Sequence, residues 1–513
     1  MPGGCVAEDK LLQPPDISVE SGSSASPPWL SLFLTVYRHA RMSAWWSILR
    51  NSGIVLAGNS VAKLLVLAAT VIIGRALGPE QFGWYSLVLT YVMFVAILPE
   101  LGMDAIVTRE MARQPQLAAQ LLGAAVSLRL IMILIVTVVA LWVFPLLGYR
   151  PDLQPVVVVA LAFVLAFSLG ALVETHFRAR LAMGIPAVAK VVAKAVLLLV
   201  VLAVLRRVPD EARLMAAVGA TVLPDLLAVG MMFLLVWRQI NPELEFGWQV
   251  WQPILRESWP LALTAVSVMV YLRVDVFMLS RTSEPQAVGN YAAAYNLVEM
   301  WGGIAMAFGI SLLPILSKSA TDQSAAGFWG TYRQSSTGLM LLLVPVSFLT
   351  TLYASEIIEI IYGRQYSGAA PALSLLIWAQ VFAAISVLYT NALTAHQRQR
   401  WILVLAFASA VVNVLLNLVL IPALGIVGAS IATIFAYGSG TLILLLFQST
   451  RCYIAPFINA CVVPLAASLV GALTVWFFGL KLIWALMVFS LVYLCVSFVF
   501  LRHLGMRVRA LNP

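Results

Sequence analysis

Fourteen apolar stretches of about 20 residues, parted by short polar breaks, leave this chain few ways to fold. They lie near 51–74, 83–107, 121–147, 155–175, 187–205, 214–237, 259–280, 291–317, 333–353, 371–395, 401–421, 424–447, 456–478 and 481–501. A helix of that length spans the roughly 30 Å hydrocarbon core of a bilayer, where each backbone polar group must be satisfied within its own segment. The pattern predicts an all-α integral membrane protein of about 14 transmembrane helices. Composition agrees: 62% of residues are hydrophobic and 10% charged, against roughly 45–50% and about 25% in soluble domains. The breaks are too short for a soluble catalytic domain. No G-x-x-x-x-G-K-[ST], D-x-D or H-E-x-x-H is present. Four cysteines without a close pair and four histidines without clustered ligands imply neither a disulfide framework nor a metal site. No cofactor is expected, and energy would come from an ion gradient or the membrane potential.

Residues 1–28 are polar and rich in Pro, Ser and Gly, which predicts a disordered tail, not a cleavable signal peptide. In 29–50, Arg and His alternate with Trp and Leu, as in an amphipathic helix lying in the cytoplasmic interface. Met42 is an alternative start. Lys and Arg concentrate in the breaks on one side, with Arg109, Arg113, Arg178, Arg180, Arg398 and Arg400 among them. The opposite breaks carry mostly one each, among them Arg75, Arg150, Arg281 and Arg364; the break with Arg206, Arg207 and Arg213 dissents. By the positive-inside rule both termini are cytoplasmic in a multi-pass plasma (inner) membrane protein. The net charge of +9 is spread over these loops, which suits membrane lipids and not nucleic acid.

Two of the breaks read alike. Arg75-x-x-x-Pro79-x-x-x-Gly83-x-Tyr85 joins spans one and two, and Arg281-x-x-x-Pro285-x-x-x-Gly289-x-Tyr291 joins spans seven and eight. Each residue singly suits a turn at the membrane surface, but matched positions in the span order indicate duplication. Six spans separate the copies, so the halves insert in the same orientation, as in transporters whose halves rock about a midplane site. The expected plan is an N-lobe (51–237), a C-lobe (259–450), two extra helices (456–503) and a cytoplasmic tail (504–513).

The stretches VIIGRALGPEQFGWYSLVLT, GMDAIVTREMAR, YLRVDVFMLSR and LNLVLIPALGIVGASIATIFAYG resemble the polysaccharide-exporter, Wzx-type flippase branch of the multidrug/oligosaccharidyl-lipid/polysaccharide (MOP) superfamily. The resemblance runs diffusely over residues 45–450. It implies two six-helix bundles working by alternating access. It also implies a polyprenyl-diphosphate-linked glycan, on undecaprenyl, moved from the cytoplasmic to the outer leaflet, with other polysaccharide-assembly membrane proteins as partners. A MATE-like multidrug or cation antiporter shares the architecture; a membrane-embedded glycan polymerase or ligase is the rival from another class.

Charges at bilayer depth are functional candidates by default. Lys63, Arg129, Lys190, Lys194 and Arg273 are read as a cationic cavity for the diphosphate, since Arg offers a planar fork and Lys a point charge. The i, i+4 spacing puts Lys190 and Lys194 on one helix face. Asp225, Asp275 and Glu299 are candidates for ion coupling or plain ion pairs; Arg273 and Glu299 lie at similar depth, whereas Asp275 points to another face. Structural pairing and snorkelling remain the ordinary alternatives for each charge.

Overall fold

The computed structural model describes residues 28–180, 182–240, 242–321 and 325–510, with side chains from residue 55 to 498 apart from a few positions. The expected 1–28 tail therefore lies almost wholly outside the described residues. Fifteen helices follow one another: α1 (Pro28–Ile97), α2 (Met103–Arg113), α3 (Ala118–Leu146), α4 (Gln154–Ala179), α5 (Gly184–Val204), α6 (Asp210–Ile240), α7 (Trp248–Thr282), α8 (Pro285–Thr321), α9 (Ala325–Leu352), α10 (Ala354–Ile361), α11 (Ala370–Ala395), α12 (Gln399–Leu424), α13 (Ile426–Leu446), α14 (Ala455–Phe478) and α15 (Leu482–Ala510). No strand occurs among the described residues.

Twelve of these segments are long and apolar enough to cross a membrane, and Leu482–Phe498 adds a shorter one. The first, Ala57–Ile97, has 41 residues. At ~1.5 Å per residue it would measure about 60 Å, twice the hydrocarbon core. It does not run straight, because Gly78 (φ 73°, ψ 169°) breaks the helix and Pro79 starts a new one. Pro suits a first helical position, where its missing N–H has no partner to lose. The same break falls between α7 and α8, where Pro285 opens the new helix. Counting α1 as two spans and adding α15 recovers fourteen crossings. The helical backbone of 29–50 runs into the first span with no other break.

One boundary differs from expectation. The second span ends at Ile97, and residues expected in its continuation form a turn and the separate helix α2. Pro99, with Leu101 (φ 45°) and Gly102 (φ 70°) in the left-handed region, ends the span.

In the first lobe, α1 packs on α5 and α4, and α4 on α6 and α3. In the second, α7 packs on α12, α8 on α11, and α12 and α11 on α13, while α14 leans on α9 and carries α15. The lobes meet chiefly where α1 contacts α8. One apolar core bridges them, with Phe82, Tyr85, Leu279, Val288, Tyr291, Tyr362 and Tyr366 among its members. Outward faces carry large apolar side chains, such as Trp476 and Phe477, suited to lipid.

Close helix approach depends on small residues. Gly425 (φ 57°) turns the chain from α12 into α13, and a Cβ on Gly428 would overlap the Leu420 carbonyl. Gly428→Ala should therefore cost about 1–3 kcal/mol, as overpacking does. A fall in thermal midpoint checks it, and an unchanged midpoint would show that the turn yields freely.

Candidate functional site: a charged cavity between the lobes

A cavity of about 1090 Å³ opens between the lobes, lined by α1, α4, α5 and α6 from one and by α7 and α8 from the other. Its wall follows α1 from Asn59 to Ile73. That is about 21 Å of helix, some two-thirds of the bilayer core. Five basic residues line it (Lys63, Arg178, Lys190, Lys194, Arg273), with four acids (Glu100, Glu174, Asp225, Glu299).

The pairing of these charges decides what the cavity can bind. Lys194 Nζ contacts both carboxylate oxygens of Asp225 at 2.6 and 2.7 Å. Lys190 Nζ lies 2.6 Å from Glu174, and Arg178 reaches the same carboxylate at 3.9 Å. Arg273 donates Nη2 to Glu299 at 2.8 Å and lies over the Tyr295 ring at 4.5 Å. Lys63 is exposed to the cavity and makes no ion pair among the described residues. The cavity is thus less cationic than expected, with most of its positive charge already neutralised.

Two candidates lie elsewhere. Arg129 does not line the cavity: it is fully buried in the first lobe. Its Nη2 bonds Asp104 at 2.6 Å, and its Nη1 bonds the Ser168 carbonyl and hydroxyl at 2.9 and 3.2 Å. Its long side chain, on the face of α3 that meets α4, reaches a carboxylate presented by α2 before it reaches the void. Asp275 is also buried, inside the second lobe. It accepts hydrogen bonds from the Tyr291 hydroxyl, the Val276 amide (2.8 Å) and Thr433 Oγ1 (3.4 Å). Helix α12, packed on α7, buries Asn413 and Asn417 2.9 Å apart.

Sequence reasoning passed over Glu174 and Arg178 as site residues, although a glutamate near the end of an apolar helix was a visible signal. Glu100, in the turn beyond the second span, also faces the cavity. Burial, and secondarily Asp104, push its carboxyl up to about 7, against the opposing pull of Arg129. Near neutral pH it therefore carries a fractional charge.

Two helical lobes thus enclose a charged cavity at membrane depth. The family model for polysaccharide biosynthesis proteins matches residues 48–320, and the MatE model matches 260–419. The chain belongs to the polysaccharide biosynthesis protein family. A probable low-salt glycan biosynthesis flippase, Agl15, from Haloferax volcanii is 23% identical over 181 residues. That match covers 35% of this chain and 38% of the relative, so the chain spans well under half the length of that curated relative. Among solved structures, the lipid II flippase MurJ in an inward closed conformation superposes with a TM-score of 0.72 at 15% identity, over 87% of this chain and 98% of that one. An inward-facing multidrug resistance MATE family transporter gives 0.59 at 15% identity, over 79% and 95%. These two likenesses speak to the fold.

Proposed function

We propose that the protein moves a polyprenyl-diphosphate-linked oligosaccharide from the cytoplasmic to the outer leaflet by alternating access. Undecaprenyl is the carrier the family resemblance implies. The carrying observation is the interlobe cavity with Lys63 exposed in it and without an acidic partner among the described residues. A diphosphate would settle on Lys63 and compete with Glu299 for Arg273, whose guanidinium binds phosphate oxygens in a fixed fork. Asn59, Ser60, Ser86 and Thr90 on α1 and Asn296 on α8 offer hydrogen-bonding groups for sugar hydroxyls around the cavity. The apolar carrier tail would remain in lipid.

Basic residues beyond acids in the lining, five against four, favour an anionic headgroup over a cationic drug. The bias of Lys and Arg among the loops supports both termini in the cytoplasm, in the plasma membrane, with the Arg75 and Arg281 breaks outside. Lobes of residues 51–237 and 259–450 would rock about the cavity, with 456–503 as an appendage. Asp275, beside Tyr291 and Thr433, and Glu100 are the acids best placed to couple an ion to this motion. Other glycan-assembly membrane proteins are expected as partners.

Proteoliposomes holding the purified protein and a fluorescent diphosphate-linked oligosaccharide on a short polyprenyl chain test the reading. Translocation is followed by loss of fluorescence to an impermeant quencher. Transport well above empty vesicles is expected, with none of a fluorescent organic cation. Movement of the cation alone would assign the protein to drug export.

A further inference from the structure

At the face where α1 breaks, the two copies of the Arg–Pro–Gly–Tyr motif lie against each other. A Cβ on Gly83 would overlap the Pro285 carbonyl and lie 3.1 Å from the Gly289 amide nitrogen. A Cβ on Gly289 would overlap the Pro79 carbonyl and lie 3.0 Å from the Gly83 nitrogen. One contact made twice with the roles exchanged is the mark of a two-fold related interface. Only glycine lets the backbones meet so closely.

The arginines cross this seam in opposite directions. Arg75, from the first lobe, donates Nε to the Ile361 carbonyl at 2.7 Å and Nη2 to the Ile360 carbonyl at 2.5 Å. These are the last carbonyls of α10, where the helix end carries partial negative charge. On the same side the Tyr366 hydroxyl donates to the Gly74 carbonyl at 2.6 Å, and Phe82 packs against Tyr362 and Tyr366. Arg281, from the second lobe, lies over the ring of Tyr149 at 4.9 Å, in the loop between α3 and α4. Tyr149 and Ser280 share a hydrogen bond of 2.7 Å. Each tyrosine of the motif ties back into its own lobe: Tyr85 to Thr221 on α6 at 2.9 Å, and Tyr291 to Thr433 on α13 at 3.3 Å. The cavity lining ends just beneath, at Ile73 and Tyr85.

The geometry points to a two-armed latch, in which the duplicated motif seals one mouth of the cavity and Arg75 and Arg281 each hold the opposite lobe. The arms are unequal. Arg75 makes two charge-assisted hydrogen bonds, reinforced by an aromatic cluster, whereas Arg281 rests on one ring face. Opening at this mouth therefore begins on the Arg281 side and turns about the contact of Arg75 with α10. This goes beyond the transport reading, because it concerns how the lobes part and holds whatever the cargo is.

Spin labels on cysteines at Asp152, in the α3–α4 loop, and Glu356, on α10, read the separation of the lobes by pulsed electron resonance. The full-length protein would be placed in nanodiscs without substrate, in a background lacking Cys5, Cys452, Cys461 and Cys495. The parent should show mainly the closed distance. Arg75→Ala should raise the ratio of separated to closed molecules about tenfold, the range of a charged hydrogen bond. Arg281→Ala should raise it about two- to fivefold, as for an exposed cation–π contact. Gly289→Ala should populate the separated state with both arginines in place, and Arg364→Ala, whose ion pair with Glu359 stays within one segment, should not. Should Arg75→Ala and Gly289→Ala proteins of unchanged size-exclusion profile keep the parent's distances, the latch is overturned. A larger effect from Arg281→Ala than from Arg75→Ala would overturn the order of opening.

Discussion

Lys63→Met should lower translocation of a diphosphate-linked glycan about ten- to a hundredfold and leave the thermal midpoint of the protein unchanged. The range is that of one to two lost charge-assisted hydrogen bonds to a bound anion. Stability should not suffer, because Lys63 faces the cavity and gives up no ion pair among the described residues. Its neighbour Gly303 on α8, within reach of the Lys63 ammonium, leaves room for the methionine. Initial rates in proteoliposomes, set beside a melting curve of the same preparation, make the comparison. Parent-like transport by Lys63→Met would remove the residue from the site and with it the main support for the proposed cargo.

The converse is expected of Arg129→Met. Removing this side chain strips the Asp104 carboxylate of its buried partner and takes one donor from the Ser168 carbonyl and hydroxyl. Breaking one side of a buried pair costs about 3–5 kcal/mol. The variant should reach the membrane in lower yield and melt earlier, with transport per folded molecule near the parent's. Arg129→Met combined with Asp104→Leu should recover much of the loss, because no uncompensated charge then remains. If Arg129→Met melts normally yet fails to transport, the arginine acts on the cargo after all.

How far the site was legible in the sequence follows from what a helical period encodes. The 1.5 Å rise sets the depth of a side chain and the 3.6-residue turn sets its face, so Lys190 and Lys194 were placed together, and Arg273 was matched with Glu299 at 2.8 Å. Which neighbour a face meets is not encoded in either number. Arg129 sits at a depth suited to a cavity, but α4 covers its face and α2 supplies Asp104. The second span was drawn too long because hydrophobicity continues past Ile97, whereas the turn depends on Pro99 and on left-handed backbone at Leu101 and Gly102. Glu174 escaped notice because it reads as a residue at a helix end, and only the fold brings Lys190 to it. The duplication was visible as four matched letters. That the two copies touch each other required coordinates.

Shared seam and unshared chamber together bear on how such a chain arose. At the spacing that superimposes the motifs, Lys63 corresponds to Met269, while Arg273 and Glu299 correspond to Leu67 and Met93. A hypothetical molecule assembled from two copies of either half would keep the glycines and arginines needed to shut, yet have a differently charged interior. Closure thus rests on contacts that both halves make alike, so a change on one side of the seam has to be met by one on the other. The charge lining the chamber is instead supplied differently by each half.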